Sequence, residues 1–202
     1  MNRGTIVLLV IGLFIALVGF NACNAYNNMN KMEKAVGAQW TQVENAYQRR
    51  NDLIPNLVAT VKNYADFERS TLEAVVNARS KATQVTIDPT KLDAQSLQKF
   101  QQVQGEVSST LGRLLAVAEN YPDLKANQNF LNLQTQLEGT ENRITNERRV
   151  FIEMTRDYNT SITMFPRRIW AGLFGFKEKP SFEMTEGADK TPDVDSLFNK
   201  GK

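Results

Sequence analysis

The 202-residue sequence contains no histidine and a single cysteine, Cys23. The first absence removes the side chain most often used for acid–base work near neutral pH and for holding zinc. The second excludes an internal disulfide and any cysteine-built metal cage. Charge of one sign is also lacking: 24 Lys and Arg against 22 Asp and Glu leave a net +2, too little for a global field that would hold nucleic acid. No glycine stands between Gly37 and Gly105, so a long stretch lacks the residue that most readily interrupts a helix. The length leaves room for one domain plus an anchor.

What is present begins with an apolar run. From Thr5 to Phe20 the chain reads TIVLLVIGLFIALVGF, uncharged and preceded by Arg3. As a helix this run covers about 24 Å, and extension through Tyr26 gives about 33 Å, enough to cross a hydrocarbon core of about 30 Å. Tyr26 then falls where interfacial aromatics sit. Two other readings of the segment stand beside a retained span. Ala22, Cys23 and Ala25 loosely supply the small residues of a secretory cleavage site. The stretch Gly19-Phe20-Asn21-Ala22-Cys23 also resembles a lipoprotein box, in which Cys23 would carry the lipid, although Phe20 and Asn21 fit that pattern poorly. Arg3 precedes the span and Lys31 and Lys34 follow it, a near balance in which the short positive leader favours an inside amino terminus and a bundle on the outer face.

After the anchor the pattern is helical. Met32, Val36, Trp40, Val43, Tyr47, Ile54, Leu57, Val61 and Tyr64 recur at three and four, with one seven-residue step across Arg50, and Leu72, Val75 and Val76 continue after a gap. This predicts one long amphipathic helix ending at the turn Ile87-Asp88-Pro89-Thr90, kinked or broken at Pro55, where Asp52 could cap a new helix. A second helix carries Leu97, Phe100, Val103, Val107, Leu111, Leu114 and Val117 and stops before Tyr121-Pro122. A third runs from Phe130 through Leu137, Ile144 and Phe151 to Tyr158. The fold class is all-α: a transmembrane helix, then an antiparallel bundle of three long helices, or four if the first is broken at Pro55. The implied organisation is a leader at 1–4, the transmembrane helix or signal anchor at 5–26, the bundle at 27–165, an apolar and basic docking segment at 166–179 and a mobile tail at 180–202.

The stretch WTQVENAYQRRNDLIPNLVATVKNYADFERSTLEAVVNA, from Trp40 to Ala78, resembles the signature of the LemA family, most specifically at Arg49, Arg50, Asp52, Leu53, Ile54, Pro55, Asn56 and Leu57. Later blocks agree in order: Glu138 to Ile144, with Glu141, Asn142 and Arg143; then Tyr158-Asn159; then Phe165-Pro166 and Leu173 to Lys177. The resemblance spans essentially the whole chain and implies one membrane helix and a helical bundle in a bacterial envelope. It implies class and place, with no activity attached. Cys23 departs from the family's plain anchor.

Arg49, Arg50 and Asp52, with Glu44 nearby, and Glu141, Arg143, Glu147, Arg148 and Arg149 on another helix, bring acids and bases together in sequence. Helices in a bundle offer ridges more readily than the concave site catalysis needs, so these charges are read as salt bridges within or between helices, with no enzyme activity expected. Arg50 occupies the seam position between Tyr47 and Ile54, and its expected partner is a carboxylate such as Glu141 or Glu147. The pairs Arg49-Arg50 and Arg148-Arg149 are neighboured by acids that cancel their field, which argues against nucleic acid. Asp88, Asp93 and Asp123 stand singly at helix starts, where capping explains them, so neither metal nor cofactor is expected. In FPRRIWAGLFGFKEK the apolar group Ile169, Trp170, Leu173, Phe174 and Phe176 is flanked by Arg167, Arg168, Lys177 and Lys179. It reads as a cap on the bundle core, a membrane contact or a protein contact. The expected partners are the membrane, further copies of the chain and another envelope protein. The expected role is that of a scaffold or adaptor, with lipid-binding remodelling or sensing as the alternative.

Overall fold

The computed structural model describes residues 2–64 and 68–182. All but the first three residues of the tail expected over 180–202 lie outside the described residues. Six α-helices occur among those described: α1 Arg3–Lys62, α2 Arg69–Thr83, α3 Ala94–Ala118, α4 Pro122–Lys125, α5 Gln128–Thr163 and α6 Arg167–Phe174, with a 3-10 turn at Pro89–Lys91 between α2 and α3. No strand is found among them.

α1 is one 60-residue helix in two surroundings. Its first part is apolar on every side and exposed: an 18-residue window reaches a mean hydropathy of 2.7 with none of it buried. This is the pattern of a helix whose solvent is lipid. From Ala25 onward burial becomes one-sided, through Met29, Val36, Trp40, Val43, Tyr47, Arg50, Ile54, Leu57 and Val61, as expected of a helix with one face on a core.

The sequence pattern carried this helix on past Tyr64, and there the structure differs. α1 ends at Lys62, with the Asn63 N–H donating to the Val61 carbonyl, and α2 begins only at Arg69. Glu68 organises the new start, its carboxylate accepting from the hydroxyls of Ser70 at 2.8 Å and Thr71 at 2.9 Å. Tyr64 ties the distal end down: its hydroxyl donates to the Asp123 carbonyl at 3.4 Å and accepts from the Asn127 amide at 3.2 Å. The chain therefore reverses, and α2 lays Thr71, Val75, Ala78 and Ala82 back onto the bundle. Pro55 neither breaks nor ends α1, so the fourth long helix comes from the end of α1 at Lys62 and a new start at Arg69, not from the proline.

α1 and α5 are antiparallel, since rising numbers on one meet falling numbers on the other: Gln39 bonds Glu147, Arg50 bonds Glu141 and Arg49 bonds Gln136. α2 is antiparallel to α3, with Lys81–Glu106 at 2.7 Å and Glu68–Arg113 at 3.5 Å. The later boundaries are fixed by caps. Asp93 and Ser96 form a reciprocal capping box on α3, and the Asn127 side chain accepts from the Asn129 and Phe130 N–H groups of α5. The core falls into two clusters. Near the span it is aromatic, with Trp40, Tyr47, Phe100, Phe151, Tyr158 and Phe182; farther away it is aliphatic, built on Leu53, Ile54, Leu57, Val61, Val107 and Leu114.

Candidate functional site

Arg50 sits between the two clusters, fully buried. Its Nη1 donates to Ser108 Oγ at 2.6 Å and to Glu141 Oε1 at 2.9 Å, and its Nη2 to the Gln104 carbonyl at 3.0 Å and Gln104 Oε1 at 2.7 Å. The guanidinium also lies 5.1 Å from the centroid of the Tyr47 ring. One side chain from α1 thus binds α3 and α5 together. A planar five-donor group suits this position, whereas an ammonium on a flexible stem would not reach the same four acceptors. Glu141 is 44% exposed, so the pair is buried on one side and hydrated on the other.

Pro55 has a matching role one turn away. A proline has no N–H, and the carbonyl left without its helical donor is that of Asn51, four residues earlier. Arg79 of α2 supplies the missing bond, its Nε donating to the Asn51 carbonyl at 2.8 Å. The signature therefore fastens α2, α3 and α5 to α1 through two consecutive features: Arg50 reaches α3 and α5, and the carbonyl freed by Pro55 receives α2. The Asn51 side chain is buried as well.

The remaining signature residues are dispersed. Arg49 is exposed and reaches Gln136 at 3.4 Å; Asp52 and Asn56 face solvent; Asn142 is exposed; Arg143 is exposed and lies 3.6 Å from Glu147 along its own helix. Of the charges named from sequence, Arg50 and Glu141 converge. Gln104, Ser108 and Arg79 were not anticipated: polar residues on helical faces give no local signal of a partner on another helix.

Tyr158 and Asn159 have a second task, holding the chain that follows α6. Gly175, with φ 78°, ends α6 in the left-handed conformation that glycine adopts without strain. The following residues run back along the bundle. Tyr158 donates to the Lys177 carbonyl at 3.0 Å. The Asn159 amide grips Lys179 on both sides, donating to its carbonyl at 2.8 Å and accepting from its N–H at 2.9 Å. Lys179 pairs with Glu33 of α1 at 2.8 Å, and Phe182 inserts beside Trp40 and Phe151 with the Arg148 guanidinium 4.4 Å from its ring centroid. Burial, reinforced by the charge of Glu33, pushes the Tyr158 hydroxyl up to about 12.

The docking group divides. Trp170 and Phe176 are half-buried, Phe174 and Phe176 lie against Tyr26, and Leu173 stays exposed. Cys23 is exposed on α1, which runs through it unbroken.

An open groove of about 610 Å³ beside α1 is lined by Glu44, Gln48, Asn51, Asp52, Thr86 and Gln104, among others. Burial holds the Glu44 carboxyl above its usual range, partly offset by the Ile87 N–H that it accepts at 3.2 Å. Its acid is thus engaged in fixing the turn after α2.

The sequence model of the LemA family matches residues 39–196. The chain belongs to the LemA family. Among its relatives are magnetosome protein MamQ of Magnetospirillum gryphiswaldense, 26% identical across 99% of this chain and 80% of that protein, and MamQ 2 of Paramagnetospirillum magneticum, 25% identical over the same shares. Protein LemA of Metamycoplasma hominis is 24% identical across 81% of this chain and 66% of its own length. With the exposed apolar helix, these likenesses make the chain a membrane-associated LemA-family protein.

Proposed function

We propose that this chain is a non-catalytic scaffold or adaptor of the bacterial envelope. It is mounted by a retained single-pass span in the cytoplasmic membrane with its bundle on the outer face, and it works through helix–helix contacts that include contacts between its own copies and with another envelope protein. The observation that carries the reading is the use made of the signature. Both terminal nitrogens of Arg50 are each engaged by two acceptors inside the bundle, so its charge is spent on assembling helices and not offered to a substrate. The continuity of α1 adds a mechanical argument. The same helix crosses the lipid and forms the long wall of the bundle, so a force or contact on one is transmitted to the other.

Cross-linking of the full chain in intact cells, read by mass spectrometry, tests this. Defined links between copies, matched by an oligomer that persists in detergent, are expected; a monomer with no envelope partner would overturn it. A second reading, a lipid-binding remodelling or sensing protein, is favoured by the exposed apolar face of α6, and vesicle deformation by the purified chain would support it. The outer-face orientation is tested by a cysteine placed at Ser109 in a Cys23→Ser background. An impermeant reagent should label it in intact cells, after outer-membrane permeabilisation where such a membrane exists, and protection until lysis would reverse the assignment. Loss of membrane retention in Cys23→Ser alone would replace the span with a lipid anchor.

A further inference from the structure

α6 carries an apolar face with no partner among the described residues. Its inward side is marked by Ala171, 4% exposed, and by Arg167, whose Nη1 donates to Ser161 Oγ at 2.7 Å. On the other side Ile169 and Leu173, spaced by four within the helix, are 59% and 71% exposed, and Phe165, just ahead of the helix, is 83% exposed. Such spacing puts Ile169 and Leu173 in one stripe.

The level of this stripe relative to the membrane can be worked out from α1. The uncharged run Thr5 to Phe20 is centred between Gly12 and Leu13. Half of a hydrocarbon core is about 15 Å, or about ten residues of helix, so Tyr26 lies about 5 Å beyond its edge, among the headgroups. The Phe174 and Phe176 rings are 5.2 and 5.7 Å from the Tyr26 ring. α6 is therefore held at the interfacial level, where an amphipathic helix sinks its apolar face about 5–10 Å into the headgroup and acyl boundary. Arg168 and Lys177, both exposed, flank the stripe as cations do that reach lipid phosphates.

We propose that α6 is a second membrane contact, an in-plane helix whose Ile169 and Leu173, with Phe165 just ahead of it, enter the bilayer surface beside the span. It rests on α1 being a retained span and is independent of whether copies assemble. The bilayer is the occupant because the stripe is continuous in level with the lipid-facing surface of α1, and a soluble partner would have to displace lipid to reach it. A membrane helix alone leaves the bundle free to tilt; α6, clamped to α5 through Arg167 and to α1 through Tyr26, would fix the bundle's inclination.

The two tryptophans allow a direct test on the full chain in lipid nanodiscs. Trp40 is fully buried and lies 14 residues past Tyr26, whereas Trp170 is on α6. With lipids brominated at a shallow acyl position, Trp170 observed in Trp40→Phe should lose about twofold more of its fluorescence than Trp40 observed in Trp170→Phe, as a shallow interfacial site requires. Ile169→Glu with Leu173→Glu, in the Trp40→Phe background, should remove most of that difference at unchanged helix content; Ile169→Ser with Leu173→Ser serves if the charged pair lowers helicity. Equal quenching of the two tryptophans, quenching indifferent to these substitutions, or quenching lost when discs hold one copy would each overturn the proposal. Failure of the chain to enter nanodiscs would instead remove the span reading on which it rests.

Discussion

The two halves of the bundle are held by different means. In the half far from the membrane, helices enclose a core that is mainly aliphatic, where Leu57, Val61, Val75, Val107 and Leu114 are all without exposure and Phe130 is the buried ring. In the near half the core is aromatic and is closed by a strap that is not helical, pinned by Tyr158 and Asn159 and plugged by Phe182. Aliphatic layers suit long parallel contacts between helices, which interlock along their length. Large rings leave a broader space, and here a returning segment fills it. The difference predicts a far half that tolerates no loss of volume and a near half whose last layer can detach and re-dock, with Arg50 coupling the two.

The largest effect is expected in the far half. Leu57→Ala removes a fully buried side chain from between helices that cannot easily close on the gap, and should cost about 2–5 kcal/mol in denaturant unfolding of the detergent-solubilised chain. A cost below that range would show the far half to be as adaptable as the near one.

Arg50→Ala breaks the coupling itself. Stranding the partner of a buried pair costs about 3–5 kcal/mol, and the lower end applies because Glu141 can rehydrate. The sharper expectation is a loss of coincidence: Trp40 fluorescence, which reports the near half, should change at a different denaturant concentration from helix content. Transitions that stay superimposed would mean that the halves are one cooperative unit without the arginine.

A smaller effect distinguishes the Pro55 feature. Arg79→Ala should leave the Asn51 carbonyl without a donor and cost about 1–3 kcal/mol. In Pro55→Ala the alanine N–H can serve that carbonyl, so the same Arg79 substitution should cost less, and a double-mutant cycle measures the difference. Strict additivity would disconnect the proline from α2. Pro55→Ala alone should leave stability near that of the wild type, since it restores one helical bond while weakening another.

The smallest effect tests the strap. At neutral pH Tyr158→Phe loses one hydrogen bond to the Lys177 carbonyl, worth about 0.5–1.5 kcal/mol. The folded state holds the Tyr158 hydroxyl protonated up to about 12 against an ordinary value of 10.0. Its contribution is thus complete below pH 10 and is lost as the pH rises towards 12. Thermal melts should show the gap between wild type and Tyr158→Phe narrowing over that window; a constant gap would place Tyr158 in water and the strap off the bundle.

Much of this was written locally. Thr5 to Phe20 is apolar on all sides, and the three-and-four spacing, the Asp88-Pro89 turn and the stop before Pro122 depend on neighbours in the chain. The seven-residue step across Arg50 marked a charge on a buried face, and Glu141 was one of two carboxylates that could answer it. The end of α1 at Lys62 and the fresh start of α2 at Arg69 were missed because apolar spacing resumes at Leu72 on the far side. What interrupts the helix is the contact of Tyr64 with Asp123 and Asn127, more than fifty residues away in sequence. The tertiary structure alone decided that Gln104, Ser108 and Arg79 complete the signature, and that Tyr158 and Asn159 grip backbone and not a ligand. Helical period is a property of one chain segment, whereas a hydrogen bond between helices depends on their relative register, which is set only when the cores on both sides have packed.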